Sequence, residues 1–461
     1  MNSKWLMITL VIGLLACKTS EIATDSENVF IHESESHEQE SLAGIFENSE
    51  TFSKTITGFM LFDPEADSTL YAVNESKYMN PASNTKLFTY FAAINVLEDR
   101  LPALKYVIRD DSLIFWGTGD PSFLHPDFGT DAVYEFLANF EGELFFSDSN
   151  YDDENLGPGW SWADYNSYYS AEKSPLPIYG NVARVTIEHI EEYRIAKEDG
   201  EYLISPAIFN EYLLEAERSE EGRFVLERDR VGNNFTYQFT SDTSRYTTDK
   251  PFHYTPEFVV NLLSDTLKKT VSYLPEAELP EVHRTMYSME TEELLKEMML
   301  PSDNQSAEQI MLMIAAELGM DLNSRAAINH VVETYLYDLP DSPNWRDGSG
   351  LSRYNLFTPR SMVALLDKID DLVDDEQLFD SLPQGGKQGT IRRLYAHKEG
   401  GEPYVFAKTG TLSNNHCLSG YVVTESGKKL LFSFMNNNYV IPTRQVQAQM
   451  DEVLWFIYKN Y

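Results

Sequence analysis

Residues 107–280 are rich in Tyr and Asp, carry short strand-like runs, and are punctuated by Gly and Pro as in Gly157-Pro158-Gly159, unlike the sequence on either side. A chain interrupted in this way is not one continuous unit, and 461 residues already exceed the usual span of a single domain. The interruption reads as β-rich inserted material at 107–182 and 250–280. Within it, residues 183–249 have charged alternating segments of their own, including Arg223-Phe224-Val225-Leu226-Glu227, and are expected to form a nested inner insert. The flanks, 48–106 and 281–461, are then two separated pieces of one domain. No repeat at a fixed period points to a solenoid or a propeller.

The flanks have clear local signals. Thr57-Gly58-Phe59-Met60-Leu61-Phe62 and Thr69-Leu70-Tyr71-Ala72-Val73, joined by Asp63-Pro64-Glu65-Ala66-Asp67, make a β-hairpin pattern. After Ser83, the residues Leu87, Phe88, Phe91, Ala92, Ile94, Val96 and Leu97 are apolar on nearly every side, as in a helix buried in a core, so Ser83 lies at a helix start. At the far end, 404–412, 416–424 and 429–435 read as the strands of a meander separated by Ser413-Asn414-Asn415 and Glu425-Ser426-Gly427. Val446, Met450, Val453, Leu454 and Ile457 recur at intervals of three and four, which predicts a closing helix over 443–458.

At the N-terminus, Lys4 is followed by an apolar run over 5–16 that is too short to cross about 30 Å of hydrocarbon and reads as an export signal. Leu14-Leu15-Ala16-Cys17 resembles the lipobox of bacterial lipoproteins, in which residues 1–16 would be removed and Cys17 acylated. The alternative is an ordinary cleaved signal with a chance cysteine. Residues 17–47, rich in Ser, Glu and Asp, bury too little apolar surface to offset ordering and read as an acidic flexible tether. His32 and His37 within it lack the i, i+4 spacing of a helical zinc site. Cys417 would be left without a partner, as a small buried hydrophobe and not half of a disulfide.

Charge and composition exclude some partners. With 36 basic against 73 acidic residues, the net charge of −37 repels phosphate backbones and anionic headgroups, so nucleic acid is not expected as a partner. Hydrophobic residues at 42% and charged residues at 24% describe a water-soluble globular protein and not a multispanning membrane protein. No metal or cofactor is expected. Gly385-Gly386-Lys387-Gln388 lacks the Ser or Thr that a phosphate-binding loop needs after its Lys, and His125 and His253 stand isolated.

Three short motifs carry chemistry. In Ser83-Asn84-Thr85-Lys86 the hydroxyl and the amine are one helical turn apart on the same face. A desolvated, neutral Lys86 can take the Ser83 proton, and a helix N-terminus offers a backbone N–H to the oxyanion that forms on attack. Alone this motif is weak, since a chain of this length contains about one or two by chance. Ser302-Asp303-Asn304, placed before an amphipathic helix with Ile310, Ile314 and Leu318, and Lys408-Thr409-Gly410, at a strand end, follow it in the order known for penicillin-interacting serine enzymes. Ser302 can relay a proton to a leaving amine, Asn304 can hold a substrate amide, and Lys408 with Thr409 can bind a terminal carboxylate. Lys408 also brings a second cation toward Lys86, which is expected to lower the Lys86 pKa.

With Pro81-Ala82-Ser83-Asn84-Thr85-Lys86-Leu87, Gly117-Thr118-Gly119-Asp120-Pro121, Pro158-Gly159-Trp160-Ser161-Trp162-Ala163-Asp164, Asp347-Gly348-Ser349-Gly350-Leu351-Ser352-Arg353, Gly389-Thr390 and Leu418-Ser419-Gly420-Tyr421, the sequence resembles the low-molecular-mass class C penicillin-binding proteins, the D-alanyl-D-alanine carboxypeptidase/endopeptidase family, over about residues 58–435. The resemblance implies an α/β fold with a penicillin-recognising serine transferase (β-lactamase/transpeptidase-like) core, an antiparallel sheet flanked by helices and interrupted by β-rich insert domains. It implies acylation of Ser83 by the penultimate D-alanine carbonyl and then hydrolysis, with the oxyanion between the N–H groups of Ser83 and Thr411. Thr409, Gly410, Thr411, Ser349 and Leu351 would line the substrate, and Asp164 and Arg353 would meet the side-chain end of the stem peptide's diamino acid. Peptidoglycan stem peptides and cross-links are then the partners, β-lactams their mimics, and the place of action the periplasmic side of the cell envelope, with the membrane touched only through the anchor. Carboxypeptidase and endopeptidase action both remain open. A β-lactamase-like hydrolase or esterase, and a catalytically silent peptidoglycan-binding protein, are the competing readings. His416-Cys417 departs from the small or aliphatic residues expected before Leu418. Without the resemblance, Asp347-Gly348 is a turn signal, and Trp160 and Trp162 read as core.

Overall fold

In a computed structural model, which describes residues 41–129, 132–187, 204–217, 224–238 and 246–461, both flanks contribute to one antiparallel five-stranded sheet. Residues 1–40, including the apolar run, Cys17, His32 and His37, lie outside the described residues, as does much of 183–249. The sheet order is Val405–Leu412, Asn415–Val423, Lys429–Asn437, Ile56–Asp63 and Ser68–Val73. The expected hairpin and meander are both present, and the hairpin's first strand pairs with the meander's last, with Phe59 opposite Phe434 and Leu61 opposite Phe432.

The sheet is covered on both faces, so its central strands are apolar at consecutive positions and not alternating. On one face Phe59, Leu61, Leu418, Phe432 and Phe434 pack against Val446, Met450, Val453, Leu454 and Ile457 of the closing helix Thr443–Asn460. On the other face Tyr421 and Leu431 meet a helical layer built on Lys86–Val96, Asn304–Glu317 and Pro359–Asp370. Each large side chain buried here contributes about 1.5–3 kcal/mol. Asn304–Glu317 is not amphipathic as its Ile310/Ile314/Leu318 stripe suggested: Gln305 through Ala316 are all buried, because the helix runs through the middle of the layer.

The folded body begins earlier than the 17–47 tether allowed. Leu42–Asn48 is a helix capped by Ser41, whose Oγ accepts from Gly44 N–H at 3.1 Å, and its Leu42 and Phe46 are buried, Phe46 stacking on Phe52 at 5.0 Å. Leu42, Ile45 and Phe46, at helical spacing, therefore attach the end of the acidic stretch to the sheet.

The insert has a core of its own, containing Phe115, Phe146, Phe209, Phe235 and Leu262. Its mixed sheet runs Val271–Tyr273, Glu143–Ser147, Ser112–Gly117, Arg100–Arg109 and Arg284–Glu290, so strands from both chain passages take in residues on the flank side of 106 and 281. Val182–Ile187 pairs antiparallel with Tyr246–Pro251, drawing together the two ends of the 183–249 stretch. Among the described residues no helix is long and apolar enough to cross a membrane.

Candidate active site

The turn that carries Ser83 is held in a costly conformation. Ala82, just before it, has φ 48°, in the region that favours glycine, which costs a residue with a Cβ about 1–2 kcal/mol. The cost is met by fixed partners: Ala82 N–H donates to Asn80 Oδ1 at 3.1 Å, and the hydroxyl of Thr85 donates to the Ala82 carbonyl at 2.9 Å. Asn84 Nδ2 donates to Ser419 Oγ at 2.8 Å, tying the turn to the central sheet. Ser302, the second hydroxyl, also has a left-handed backbone, φ 68°, and the next residue, Asp303, caps the helix by accepting from Ser306 N–H at 2.6 Å. Both serines thus sit on turns that the surroundings over-determine, as is common where a side chain must be aimed.

Lys86 lies one turn along from Ser83 and is fully buried. Its Nζ is 3.3 Å from Ser83 Oγ, 2.6 Å from Asn304 Oδ1 and 2.8 Å from the Ser349 carbonyl. Burial pushes the Lys86 amine down to about 8, against the opposing pull of Asp303, Glu308 and Asp347. In its neutral form the amine has two N–H bonds for Asn304 and Ser349 and one lone pair left for the Ser83 hydroxyl. The expected depression of Lys86 by Lys408 has a different origin and target. Burial alone drives Lys86 down, while it is Lys408 whose pKa falls well below the ordinary value, through burial first and the nearby Lys86 second.

Strand alternation turns Lys408 and Gly410 of Val405–Leu412 toward the helical layer. Lys408 Nζ donates to Ser302 Oγ at 2.7 Å and to the Thr409 carbonyl at 3.0 Å. Gly410 meets the nucleophile turn with no room for a side chain: an added Cβ would stand 3.0 Å from Ser83 N and 2.9 Å from Asn84 N, and would collide with the Pro81 carbonyl oxygen. The motif lies within the edge strand, which continues through Leu412, and not at its end. Thr409 Oγ1 donates to Thr390 Oγ1 at 2.8 Å, and Thr411 Oγ1 bonds His416 Nδ1 at 2.8 Å.

A cleft of about 750 Å³ opens over these groups, lined by Ser83, Ser302, Asn304, Thr409 and Thr411 and also by Leu351, Asp164 and Arg353. Asp164 accepts from the Tyr169 hydroxyl at 3.2 Å, and Arg353 Nη1 donates to the Ser413 carbonyl at 3.2 Å. Ser349 does not line the cleft as a substrate contact. It is fully buried, its carbonyl accepts from Lys86, and its Oγ accepts from Leu351 N–H at 3.2 Å.

Several residues escaped the sequence reading. Glu308 is buried one turn after Asn304, accepts from Ser349 N–H at 2.8 Å and Gly348 N–H at 3.2 Å, and so positions the carbonyl that Lys86 uses. Burial first, and Asp347 second, raise its carboxyl to about 7. Its signal was an acid at i+4 from Asn304, on the same face of the helix. Asp347 does form the expected turn, accepting from Gly350 N–H and Ser352 N–H, and also holds Trp160 Nε1 at 2.8 Å. Trp162 is not core: it is 72% exposed, with Arg230 stacked over its ring at 4.2 Å. His416, the departure before Leu418, faces the cleft with its imidazole pushed down to about 4 by burial, while Cys417 turns inward between Met79 and Met435. The Cys417 thiol is free, and burial pushes it up to about 12.

Known proteins share this architecture. The chain is 27% identical to a D-alanyl-D-alanine carboxypeptidase of Actinomadura sp. (strain R39), covering 84% of this chain and 78% of that one. It is 24% identical to D-alanyl-D-alanine carboxypeptidase DacB of Haemophilus influenzae, over 83% and 85% of the two chains. The crystal structure of penicillin binding protein 4 (dacB) from Haemophilus influenzae superposes with a TM-score of 0.73 at 22% identity, covering 90% of this chain and 99% of that one, a likeness of fold. The family model described as D-Ala-D-Ala carboxypeptidase 3 (S13) matches residues 38–455. Hairpin, insert, edge strand and most of the closing helix fall within that match, and the chain belongs to the D-Ala-D-Ala carboxypeptidase 3 (S13) family of serine peptidases.

Proposed function

We propose that Ser83 is the nucleophile and Lys86 its base in cleavage of the amide that follows a D-alanine in peptidoglycan stem peptides. The observation that carries this is the Lys86 amine: fully buried, bonded to two carbonyl-type acceptors, and left with one direction toward Ser83 Oγ. Lys86 takes the hydroxyl proton as Ser83 Oγ bonds to the D-alanyl carbonyl carbon. The oxyanion is held by the N–H groups of Ser83 and Thr411. The tetrahedral adduct expels the amine, which takes a proton through Ser302, itself bonded to Lys408. Water then adds to the ester, the Ser83 oxygen leaves and is reprotonated, and the acyl product departs with a free carboxylate. Asn304 holds the acyl-side amide, and Thr409 with Lys408 and Gly410 receives the carboxylate of the leaving residue. A β-lactam mimics the same acyl-D-alanine and acylates the same oxygen.

Incubation with a reporter penicillin, followed by peptide mapping, is expected to place a stable adduct on Ser83. Rapid turnover of the penicillin without an adduct would favour a lactamase, and neither outcome would favour a silent wall-binding protein. Asp164 and Arg353, which line the cleft, are assigned to the diamino acid of the stem. Asp164→Asn is expected to lower kcat/KM about tenfold for a stem peptide with a free diamino-acid side chain and to spare a diacyl-D-Ala-D-Ala mimic. Equal losses on both would remove Asp164 from recognition. We assign Cys17 to the lipid anchor of an envelope enzyme on the strength of Leu14-Leu15-Ala16-Cys17. Labelled fatty acid should enter the wild-type chain and not Cys17→Ser, and equal labelling of both would exclude this site.

A further inference from the structure

A second cavity, of about 200 Å³, adjoins the cleft and shares Tyr168, Pro301 and Ser302 with it as a common wall. Ser302 is the group assigned to protonate the leaving amine, so whatever the leaving residue carries starts at this wall. Two features show that the cavity is built to receive something.

The first is an unused polar group. Gln305 is only 6% exposed and lines the cavity, yet its amide Nε2 has no hydrogen-bond partner among the described residues. An unpaired buried amide costs about 1–3 kcal/mol unless a ligand or water satisfies it. Gly180, at φ 66°, forms the adjoining surface, where a Cβ would press on the His125 ring at 2.9 Å and on Gln305 Oε1 at 3.4 Å. His125 Nδ1 accepts from Asp127 N–H at 3.2 Å, which leaves its ring proton on Nε2, a second donor.

The second is a surplus of negative charge. Asp127, Asp249, Glu297 and Asp303 all line the cavity against one cation, Arg184. Arg184 is already committed, at 2.7 and 2.8 Å to the two oxygens of Asp249 and at 3.4 Å to Asp127. Glu297 is left facing like charge: burial raises its carboxyl pKa, and Asp127 and Asp303 raise it further against the weaker pull of Lys296.

We propose that this cavity is the subsite for the side chain of the leaving residue, and that it selects residues whose side chain presents N–H groups, an ammonium most strongly. Its carboxylates accept from such a group, while Gln305 and His125 donate to a neighbouring carbonyl. The methyl of a terminal D-alanine is too short to enter, so the subsite is silent when a terminal D-alanine is removed and is engaged when the bond cut leads to a diamino acid, as at a cross-link. This inference rests on the peptidase reading above.

The test keeps one diacyl-D-alanyl acyl part and varies the leaving residue among D-alanine, D-lysine, D-norleucine and D-glutamate. With the wild-type protein, kcat/KM for D-lysine is expected to exceed that for the nearly isosteric D-norleucine about tenfold, with D-glutamate below both, and the gap should narrow in high salt. In Glu297→Gln the D-lysine advantage should shrink to within about twofold, with D-alanine release unchanged, which also reports that the variant is folded. Equal rates for D-lysine and D-norleucine in the wild type, or an advantage that survives in Glu297→Gln, would overturn the subsite while leaving the peptidase intact. Failure to cleave any of the four, D-alanine included, would instead bring down the peptidase reading and the subsite with it.

Discussion

Lys86→Ala is expected to slow acylation by a reporter penicillin about 10²–10⁴-fold, the range set by loss of a positioned general base. The amine has no substitute in place. Lys408, the other buried amine near the site, is bonded to Ser302 and to the Thr409 carbonyl, and Asn304 is an amide that cannot take a proton. The wild-type enzyme supplies a second signature. A base must be neutral to act, and burial pushes Lys86 down to about 8, so the acylation rate should rise with pH through about 8 and fall below it as the ammonium form takes over. The residual rate of Lys86→Ala should lack that step. Stopped-flow measurements across pH 6–10 would read both, and a rate within tenfold of wild type would assign the proton transfer to another group.

Gly410→Ala is expected to lower stability by about 1–3 kcal/mol and acylation by about 100-fold or more. The added methyl would collide with the Pro81 carbonyl oxygen and crowd two backbone nitrogens, and none of these can rotate away as the end of a side chain could. The edge strand has to move outward, and with it Thr411, which shares the oxyanion with Ser83 in the proposed mechanism. Gly232, which has nothing within 4 Å of an added Cβ, is the control whose alanine variant should change neither quantity. Thermal melts with acylation rates would separate the cases, and normal acylation by Gly410→Ala would mean that the strand does not set the oxyanion geometry.

The sequence was most legible where a local period or a short motif carried the information. The hairpin around Phe59 and Leu61, the meander through Leu418 and Phe432 and the closing helix with its Val446 to Ile457 stripe follow from side-chain spacing, and Ser83, Lys86, Ser302, Asn304 and Lys408 were found by order along the chain. The structure brings those five together through contacts more than a hundred residues apart, such as Lys86 with Asn304 and Lys408 with Ser302. Legibility failed where a role depends on which way a side chain turns. Ser349 sits in a motif that reads as substrate-facing, but its side chain is buried against Leu351 N–H and it is its carbonyl that meets Lys86. Glu308 has no motif, since its task of holding two backbone N–H groups needs only a carboxylate at the right depth. Trp162 looks like core by composition, yet its ring stands at the surface with Arg230 stacked over it. The attachment of Leu42 and Phe46 was hidden by the acidic residues before them.

Pairing of Ile56–Asp63 with Lys429–Asn437 also sets an order in time. A ribosome delivers the Ile56–Asp63 hairpin strand some 370 residues before its central partner, whereas the insert closes on itself from a shorter stretch of chain. The Ser83 turn is tied to the neighbouring late strand Asn415–Val423, through Asn84 to Ser419, and is faced by Gly410. An emerging chain therefore has a nucleophile long before it has an active site, and activity begins only once the strands Val405–Leu412 to Lys429–Asn437 have been delivered.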